Sequence, residues 1–417
     1  MTDVERAPHG ATRVTACRGC GSTELVPFLS LGSTPVANAL LGSANSASPE
    51  YPLEVGVCRD CSLVQLLVEL PAAALFDADY PYYSSYSEAL DQHGRQHCND
   101  LAEQGLVGPS RFLVEVASND GYLLRHLLQN GTRVLGIEPS PGQAQMAEDR
   151  GVPTLVEFLD ADVAARVRAE HGPSNVVLAN NVMAHVPDLQ GFVAALVYLL
   201  ADDGVLQVEN PGVRWLIEHV EFDTIYHEHY CYYSCHAVDR LVRRHGLQLN
   251  DVEFFPTLQG GTLRWTCSRS ATVTERAAKH LQDERDLGLT ELGPYLAFGA
   301  RVSQVQDDLR ALLSRLKADG SSIAAYGAAA KGATLLNSTG IDVDTIDFVV
   351  DRNPHKQGQW IPGARIPILA PEALLERQPG YVLMLAWNYA EEVRRQQAEY
   401  ERRGGRFIVP VPRPRIL

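Results

Sequence analysis

The chain has 417 residues, and a hydrophobic core rarely grows beyond about 250–300 residues, so the length predicts roughly three domains. Its 36 basic and 51 acidic residues give a net charge of −15 without any basic block, which disfavours a DNA or RNA partner. No apolar run approaches the ~18 residues needed to span a bilayer, and the N-terminus lacks a secretory pattern. We therefore expect a soluble, cytoplasmic protein with no nucleic-acid or membrane partner.

Four of the eight cysteines form two CxxC pairs near the start of the chain: Cys17 with Cys20, and Cys58 with Cys61. In a cytosolic chain such pairs indicate metal ligands before disulfides. Two thiolate pairs on tight turns complete the tetrahedron that zinc prefers, and they leave no position for a reactive water. The pattern predicts a structural zinc site. A redox pair or two unrelated coincidences are the alternatives.

An aromatic segment over 79–86 follows, which we interpret as a binding loop or lid, and then a polar helix over 87–105. From Arg111 onward strand-like and amphipathic helical runs alternate, which is typical of a doubly wound parallel sheet. The predicted strands are 112–117, 133–137, 175–179 and 204–208, and the predicted helices are 123–130, 143–150 and 191–201.

Two further strands, over 247–255 and 262–268, are joined by a turn that contains Gly260-Gly261. Such a hairpin places an antiparallel strand in a Rossmann-like sheet, which is typical of class I S-adenosylmethionine (SAM) methyltransferases rather than nicotinamide dehydrogenases. A second α/β unit begins at Ser322, after a helical stretch over 274–318, and has strands at 323–326, 347–350 and 381–385. An extended, proline-broken tail ends the chain over 407–417.

The predicted fold class is thus α/β with three domains: a zinc-binding module (1–75), a Rossmann-like class I methyltransferase domain with a terminal antiparallel hairpin (76–270), and a helical linker with a second Rossmann-like domain (271–417).

The first candidate ligand site lies where the first two strands of the middle domain end. A small-residue turn there lets a ligand approach the backbone, and an acid after the second strand can accept both ribose hydroxyls. The alternatives are another kind of nucleotide site or a turn with no ligand. The candidate cofactor residues are Glu115, Asn119, Asp120, Gly121, Glu138, Pro139, Ser140, Phe158, Asn180 and Asn181.

The segment over 222–234 is dense in titratable side chains. We interpret His229 as a general base, because an imidazole titrates near neutrality, with Glu228 or Tyr226 orienting it. His185, after the fourth strand, is expected at the same sheet edge. A second metal site, suggested by His227-x-His229, and a helix face with satisfied histidines are the alternatives.

A third candidate site lies in the last domain. Small residues, a helix N-terminus and one lysine form an anion site of the kind that holds a nucleotide diphosphate, although a purely structural turn is the alternative. The candidate substrate residues are Tyr326, Gly327, Lys331, Asp351, Asn353, Lys356 and Asn388.

With these motifs, the chain resembles the three-domain sugar C-methyltransferases of antibiotic deoxysugar biosynthesis, which act on nucleotide-linked 4-keto-sugars. The resemblance spans the paired CxxC module and the motifs Asn119-Asp120-Gly121, Glu138-Pro139-Ser140, Ile225-Tyr226-x-Glu228-His229, Gly260-Gly261, Tyr326-Gly327-to-Lys331 and Ala386-Trp387-Asn388.

The resemblance implies that the middle domain holds SAM and that the C-terminal domain holds most of a sugar nucleotide. We expect the substrate to be dTDP-linked and the protein to be a monomer. It implies a histidine base at His229, in a cleft lined by Tyr80, His185, Tyr226 and Glu228. Two positions depart from the family pattern: Gln259 stands where a histidine is common, and His227 occupies a variable polar position. Both bear on substrate orientation, so the identity of the sugar stays open.

The function predicted is SAM-dependent methylation of C-3, the carbon next to the ketone of a nucleotide-diphosphate-linked 4-keto-deoxysugar. The alternatives are methylation at C-5, an O- or N-methyltransferase of a natural product, and a zinc-stabilised nucleotide-binding scaffold without turnover. An oxidoreductase that uses NAD is disfavoured, because neither α/β unit carries G-x-G-x-x-G.

Overall fold

The computed structural model describes residues 10–70, 75, 83–256, 258 and 260–417. Its N-terminal part is built around a long antiparallel hairpin whose second strand alternates between buried and partly exposed side chains, as a sheet with one covered face requires. The strands are β1 (Thr12–Arg13), β2 (Leu25–Pro35), β3 (Glu50–Cys58), β4 (Val64–Leu66) and β5 (Val68–Glu69).

The N-terminal sheet takes its fourth strand from the middle of the chain. The order is β11-β4-β3-β2, where β11 (Cys231–Tyr232) pairs antiparallel with β4, and β1 pairs separately with β5. The segment that precedes β11 carries the predicted base, so the N-terminal module is joined directly to it.

The middle domain has a seven-stranded sheet in the order β12-β13-β10-β9-β6-β7-β8. Strands β6 to β10 are parallel, whereas β13 runs antiparallel to both of its neighbours. The class I methyltransferase sheet with a terminal hairpin is therefore confirmed. The strands are β6 (Phe112–Val116), β7 (Arg133–Ile137), β8 (Thr154–Leu155), β9 (Ser174–Asn180), β10 (Leu200–Pro211), β12 (Gln248–Phe255) and β13 (Thr262–Ser268).

Helices cover both faces of this sheet and bury its apolar strands. Three of them, over 161–171, 213–218 and 235–243, were not predicted from the sequence. The helices are α1 (Glu88–Glu103), α2 (Leu124–Leu128), α3 (Pro141–Asp149), α4 (Ala161–His171), α5 (Leu189–Leu199), α6 (Val213–Glu218) and α7 (Cys235–Arg243).

The predicted helical stretch after the hairpin consists of two helices, α8 (Glu275–Asp286) and α9 (Gly293–Ala318). The first ends where Gly288 adopts a positive φ of 72°, which a glycine takes without steric cost. The apolar side of α9 packs against Phe28 of the N-terminal module through Tyr295 and Phe298.

The C-terminal domain has a six-stranded sheet in the order β16-β15-β14-β17-β18-β19, parallel except for its last strand. The predicted extended tail forms its last two strands. The elements are β14 (Ile323–Tyr326), α10 (Ala330–Thr339), β15 (Val349–Val350), β16 (Ile368–Leu369), α11 (Ala373–Arg377), β17 (Tyr381–Met384), α12 (Ala390–Gln396), α13 (Ala398–Arg402), β18 (Arg406–Val409) and β19 (Arg415–Ile416).

The three-part α/β architecture predicted from the sequence is confirmed. Among the described residues, no helix combines the length and the apolar character needed to cross a membrane.

Candidate active site and zinc centre

The two CxxC pairs converge into one cluster. The four thiol sulfurs lie within 4.8 Å of one another, with 3.4 Å between Cys17 and Cys61 and 3.5 Å between Cys20 and Cys58. Tetrahedral zinc with Zn–S bonds of about 2.3 Å needs sulfur atoms about 3.8 Å apart, so the cluster fits the ion. Zinc would be held here by Cys17, Cys20, Cys58 and Cys61, as a closed structural site.

The zinc turns are also held by the methyltransferase domain. Arg240 donates to the Asp60 carbonyl at 3.1 Å, and Arg244 donates to the Cys20 carbonyl at 3.2 Å. Both arginines belong to α7 or its end. One contact thus reaches each CxxC turn from the helix that follows β11, so the zinc site is part of the interface between the domains.

The cofactor loop after β6 is folded into an unusual backbone shape. Ala117, Asn119 and Gly121 all have positive φ, at 56°, 49° and 70°. An added Cβ on Gly121 would lie 3.1 Å from the side chains of both Ala147 and Val152. The alternation turns successive peptide groups toward one side, which brings the loop backbone close to the end of β7.

Glu138 ties this loop to the next strand. One of its carboxylate oxygens accepts the Asn119 backbone N–H at 2.9 Å, and the other accepts the Ser140 backbone N–H at 2.9 Å. A carboxylate has about four acceptor positions, so each oxygen retains one for a hydroxyl of a ligand. Pro139 lies between these two anchors, and Ser140 is the residue from which α3 begins.

Buried polar atoms without a hydrogen-bond partner among the described residues gather at this sheet edge. A buried polar group without a partner is costly, so such a cluster indicates a ligand. Burial also raises the pKa of Glu115 well above its ordinary value. The residues present therefore fit a SAM site. The atoms are Glu115 Oε2, Ser118 Oγ, Asp120 Oδ1, Asn180 Oδ1, Asn181 Oδ1 and Asn210 Nδ2.

The end of the aromatic segment closes over the cofactor loop. The Ser84 N–H donates to Asn119 Oδ1 at 2.8 Å, and Ser85 bonds through its N–H and its hydroxyl to Asp120. Phe158, which follows β8, is 66% exposed. The start of the predicted lid (79–82, with Tyr80) and Gln259 lie outside the described residues.

His229 is held as a neutral base. Its Nδ1 lies 3.0 Å from the Thr224 carbonyl oxygen, to which only an N–H can donate, so Nε2 carries the lone pair. That lone pair accepts the Tyr226 hydroxyl at 2.8 Å. Burial lowers the pKa of His229 well below 6.5, and the charges of His185 and Lys331 lower it further.

His185 and Glu228 lie beside this base. The His185 ring packs edge-on against the His229 ring, with centroids 4.7 Å apart, and its Nδ1 donates to the Glu228 carbonyl at 2.8 Å. The Glu228 side chain is buried and accepts the Asn38 amide at 2.9 Å through Oε1. The structure therefore brings together four of the five predicted catalytic residues: His185, Tyr226, Glu228 and His229.

His227 has a different environment from His229. Its Nε2 lies 3.2 Å from the Pro52 carbonyl, and its ring packs against Tyr51 of the N-terminal module. Burial lowers its pKa to about 4. Within the described part of the chain, the four cysteines are the one group with metal-ligand spacing, and His227 anchors the segment to the module.

The C-terminal domain presents Lys331 to the same region. Its ammonium lies 3.2 Å from Asn388 Oδ1 and 4.3 Å from the centre of the Trp387 ring. The Trp387 indole N–H in turn donates to Asp223 at 2.6 Å, so this domain directly contacts the segment over 222–234, which we call the catalytic segment.

The other predicted substrate residues form the loop around Lys331. Asp351 accepts the backbone N–H groups of Ala328 and Asn353, at 2.7 and 2.8 Å, and Lys356 donates to the Ala328 carbonyl at 2.8 Å. These side chains hold the loop in shape. Tyr326 and Gly327 end β14 at the same place, and a Cβ on Gly327 would lie 2.8 Å from Ala386 Cβ.

Three site residues escaped the sequence reasoning: Asn38, Glu221 and Asp223. Burial raises the pKa of Glu221 to about 8 and also raises that of Asp223, while the charge of Lys331 opposes both shifts. Asp223 belongs to the segment over 222–234 and Glu221 adjoins it, so the density of titratable residues in that part of the sequence could have identified both acids. Asn38 lies 190 positions before Glu228 in the chain, and no motif in the neighbouring sequence identifies it as a site residue.

The sheet order, the cofactor loop with its unpartnered polar atoms and the base beside it define a SAM-dependent methyltransferase with a zinc-binding module. Three family descriptions match successive parts of the chain. They are a putative zinc binding domain over residues 17–76, a methyltransferase domain over 96–252 and a C-methyltransferase C-terminal domain over 257–412.

The C-methyltransferase NovU of Streptomyces niveus is 36% identical over 408 residues, which cover 97% of each chain. The present chain therefore belongs to this C-methyltransferase family.

A more distant relative and a solved structure each match part of the chain. An uncharacterized methyltransferase of Mycobacterium leprae is 27% identical over 48% of this chain and 74% of its own. The SAM-bound magnesium protoporphyrin IX methyltransferase of Synechocystis has 16% identity and a TM-score of 0.34, over 43% of this chain and 79% of its own.

Proposed function

We propose that this C-methyltransferase acts on a nucleotide-diphosphate-linked 4-keto-deoxysugar and methylates C-3, the carbon next to the ketone, in antibiotic deoxysugar biosynthesis. Bound SAM supplies an electrophilic methyl group. The observation that carries the proposal is the neutral His229: its unprotonated Nε2 accepts the Tyr226 hydroxyl, and the charge of Lys331 from the C-terminal domain acts on the same ring.

A ketone acidifies the hydrogen on the neighbouring carbon, and removing it requires an unprotonated base close by. His229 meets this requirement because its Nδ1 proton is bound by Thr224. Once the Tyr226 hydroxyl gives way to the substrate, Nε2 takes the C-3 proton, and the electron pair of the broken C–H bond stays on the substrate as an enolate. Bound SAM would supply the methyl group for the new C–C bond, with S-adenosylhomocysteine as the leaving group.

Burial disfavours the protonated form of His229 in the resting site, but the enolate that forms beside it carries a compensating negative charge. The imidazolium is thus stabilised only once charge develops on the substrate, which lowers the barrier rather than the ground state. The hydroxyl of Tyr226 is positioned to donate to the enolate oxygen when Nε2 becomes protonated.

Lys331 supports an anionic acceptor. Two lysines were predicted to bind the substrate. Lys356 donates to the Ala328 carbonyl of its own domain, whereas Lys331 contacts the Asn388 side chain. The partly exposed ring of Trp387 beside Lys331 offers an aromatic surface for a nucleobase. The sugar would then extend from the Lys331 loop toward His229.

The test compares a 4-keto sugar nucleotide with its 4-hydroxy counterpart as methyl acceptors for the wild-type protein. We expect a C-methylated product from the ketone alone, with the new methyl group at C-3 by NMR. Equal turnover of the alcohol would indicate an O-methyltransferase and contradict the proposal. A methyl group at C-5 would leave C-methylation standing but contradict the C-3 assignment.

A further inference from the structure

The loop over 36–41, which we call the Asn38 loop, lies between all three domains. Its turn is closed by backbone bonds from Ala39 to Val36 and from Leu40 to Asn38. Leu41 exchanges both backbone hydrogen bonds with Trp360 of the C-terminal domain, each at 2.9 Å. On the other side Asn38 reaches the catalytic segment of the methyltransferase domain.

Asn38 meets Glu228 in an asymmetric way. Asn38 is an exposed residue, whereas Glu228 is buried, with a relative exposure of 7%. Asn38 Nδ2 donates to Oε1 at 2.9 Å, while Oε2 is buried and has no partner among the described residues. A buried carboxyl oxygen without a partner is costly, so this side of Glu228 is ready for a group that a ligand brings.

The backbone of Glu228 also contacts His229 indirectly, through His185. Its carbonyl accepts the Nδ1–H of His185, and the His185 ring packs against the ring of His229. A shift of Glu228 would therefore move the ring that shapes one wall around His229.

A purely structural role explains these contacts poorly. The module is already attached to the catalytic segment by the β11–β4 pairing, by the Leu66 N–H bond to the Tyr230 carbonyl at 2.9 Å, and by His227 at Pro52. The amide of one exposed residue adds little to that attachment. Its particular effect is to fix which carboxyl oxygen of Glu228 remains without a partner among the described residues.

We propose that Asn38 is a positioning residue of the reaction, which orients Glu228 toward the methyl acceptor and makes the zinc-bearing module a part of the catalytic centre. This inference rests on the proposed function for the identity of the acceptor. Its geometry does not depend on that identity.

The sign of the accompanying pH effect is fixed. An amide N–H stabilises the carboxylate form, so Asn38 lowers the pKa of Glu228, which burial raises. Loss of that donor raises the pKa, and a second carboxyl raises it more. The other titratable or charged groups that face Glu228 are unchanged by these substitutions: Tyr230 and Tyr232 on its own segment, His185 at its carbonyl, and Arg18, which stacks on Tyr230.

The experiment compares the wild type with Asn38→Ala and Asn38→Asp. The control is Asn45→Ala, which changes an exposed asparagine of the same module. We expect Asn38→Ala to lower kcat by about ten- to a hundredfold, the loss typical of a hydrogen bond to a charged group. Zinc content, melting temperature and SAM affinity should match those of the control.

The pH–rate profile separates positioning from structural damage. The part of the pH–rate profile that reports the ionisation of Glu228 should move to higher pH in Asn38→Ala and further in Asn38→Asp. Structural damage would instead lower the rate at every pH without moving the profile along the pH axis. Turnover and profile equal to those of Asn45→Ala, with an active wild type, would overturn the inference and leave the proposed function standing. If the wild type methylates no 4-keto sugar nucleotide, the proposed function fails. In that case calorimetry with the same 4-keto sugar nucleotide still tests Asn38. A pH dependence of binding that differs between the wild type and the Asn38 variants would support its positioning role, and an identical pH dependence would overturn that role.

Discussion

At the residue scale, the proposed chemistry requires that His229 be unprotonated at Nε2. The Thr224 carbonyl fixes the tautomer, Tyr226 marks the direction of the lone pair, and burial with the nearby His185 and Lys331 keeps the ring neutral. None of these groups is unusual alone. Together they produce a base that is available well below neutral pH.

The effect of Lys331 on this base is measurable. Its positive charge lowers the pKa of His229, so Lys331→Gln should raise that pKa. The acid limb of kcat, which requires unprotonated His229, then moves to higher pH, and the KM of the sugar nucleotide rises as the anion loses its partner. A pH series of initial rates checks both effects.

The matched control for that series is Arg352→Gln, which removes an exposed cation from the same domain at a position paired with Glu392. It should leave the acid limb unchanged. If both variants shift the limb equally, the effect is one of net charge and Lys331 has no particular relation to His229.

At the element scale, the cofactor loop after β6 combines strain with close packing. Two of its three positive-φ residues, Ala117 and Asn119, are not glycine, and such a conformation costs an ordinary residue about 1–2 kcal/mol. The hydrogen bonds of Glu138 and Ser84 to Asn119 offset that cost. Gly121 remains at the position where α3 and the start of β8 come closest.

Gly121→Ala therefore adds both backbone strain and a contact with Ala147 and Val152. We expect the free energy of unfolding to fall by about 2–4 kcal/mol and SAM affinity to drop. Gly105→Ala is the matched control, since Gly105 has nearly the same φ, 68°, with nothing within 4 Å of an added Cβ. Denaturant unfolding and calorimetry should show a smaller loss of stability and unchanged SAM binding for the control. Equal losses in both would contradict the packing argument.

Many of the strands and the positions of several site residues were predictable from the sequence. The longer strands of the two α/β sheets are recognisable as apolar runs that end in polar residues. Glu138 and His185 were predicted as site residues because each comes after a strand. The β11–β4 pairing and the Asn38–Glu228 bond were not predictable, because each joins residues more than 160 positions apart and depends on how whole domains pack. Two-residue strands such as β11 have too few side chains to leave a pattern.

At the scale of the whole molecule, the catalytic segment, although part of the methyltransferase domain, is contacted by all three domains. The zinc-bearing module supplies β4, Pro52 and Asn38 to it, the methyltransferase domain supplies His185, and the C-terminal domain supplies Trp387. A cleft with walls from three domains can hold a donor and an acceptor in line, and such positioning lowers a barrier by up to about 7–11 kcal/mol.

Zinc loss should therefore affect turnover more than cofactor binding. Cys58 ends β3, next to the strand that pairs with β11, whereas the SAM loop follows β6 and β7. We expect Cys58→Ser to lose zinc and most of its turnover and to have a lower melting temperature, while SAM affinity falls much less. Cys98→Ser changes a buried cysteine outside the cluster and should keep its zinc. A zinc-free Cys58→Ser protein with full turnover would contradict the coupling.

The most direct test of the central claim measures exchange of the C-3 hydrogen of a 4-keto sugar nucleotide with deuterated solvent, for the wild type and for His229→Asn. The account predicts exchange and methyl transfer by the wild type, and neither by His229→Asn, although that variant still binds SAM with unchanged affinity by calorimetry. Exchange that persists in His229→Asn at the wild-type rate would show that another group removes the proton, and would contradict the assignment of His229 as the base.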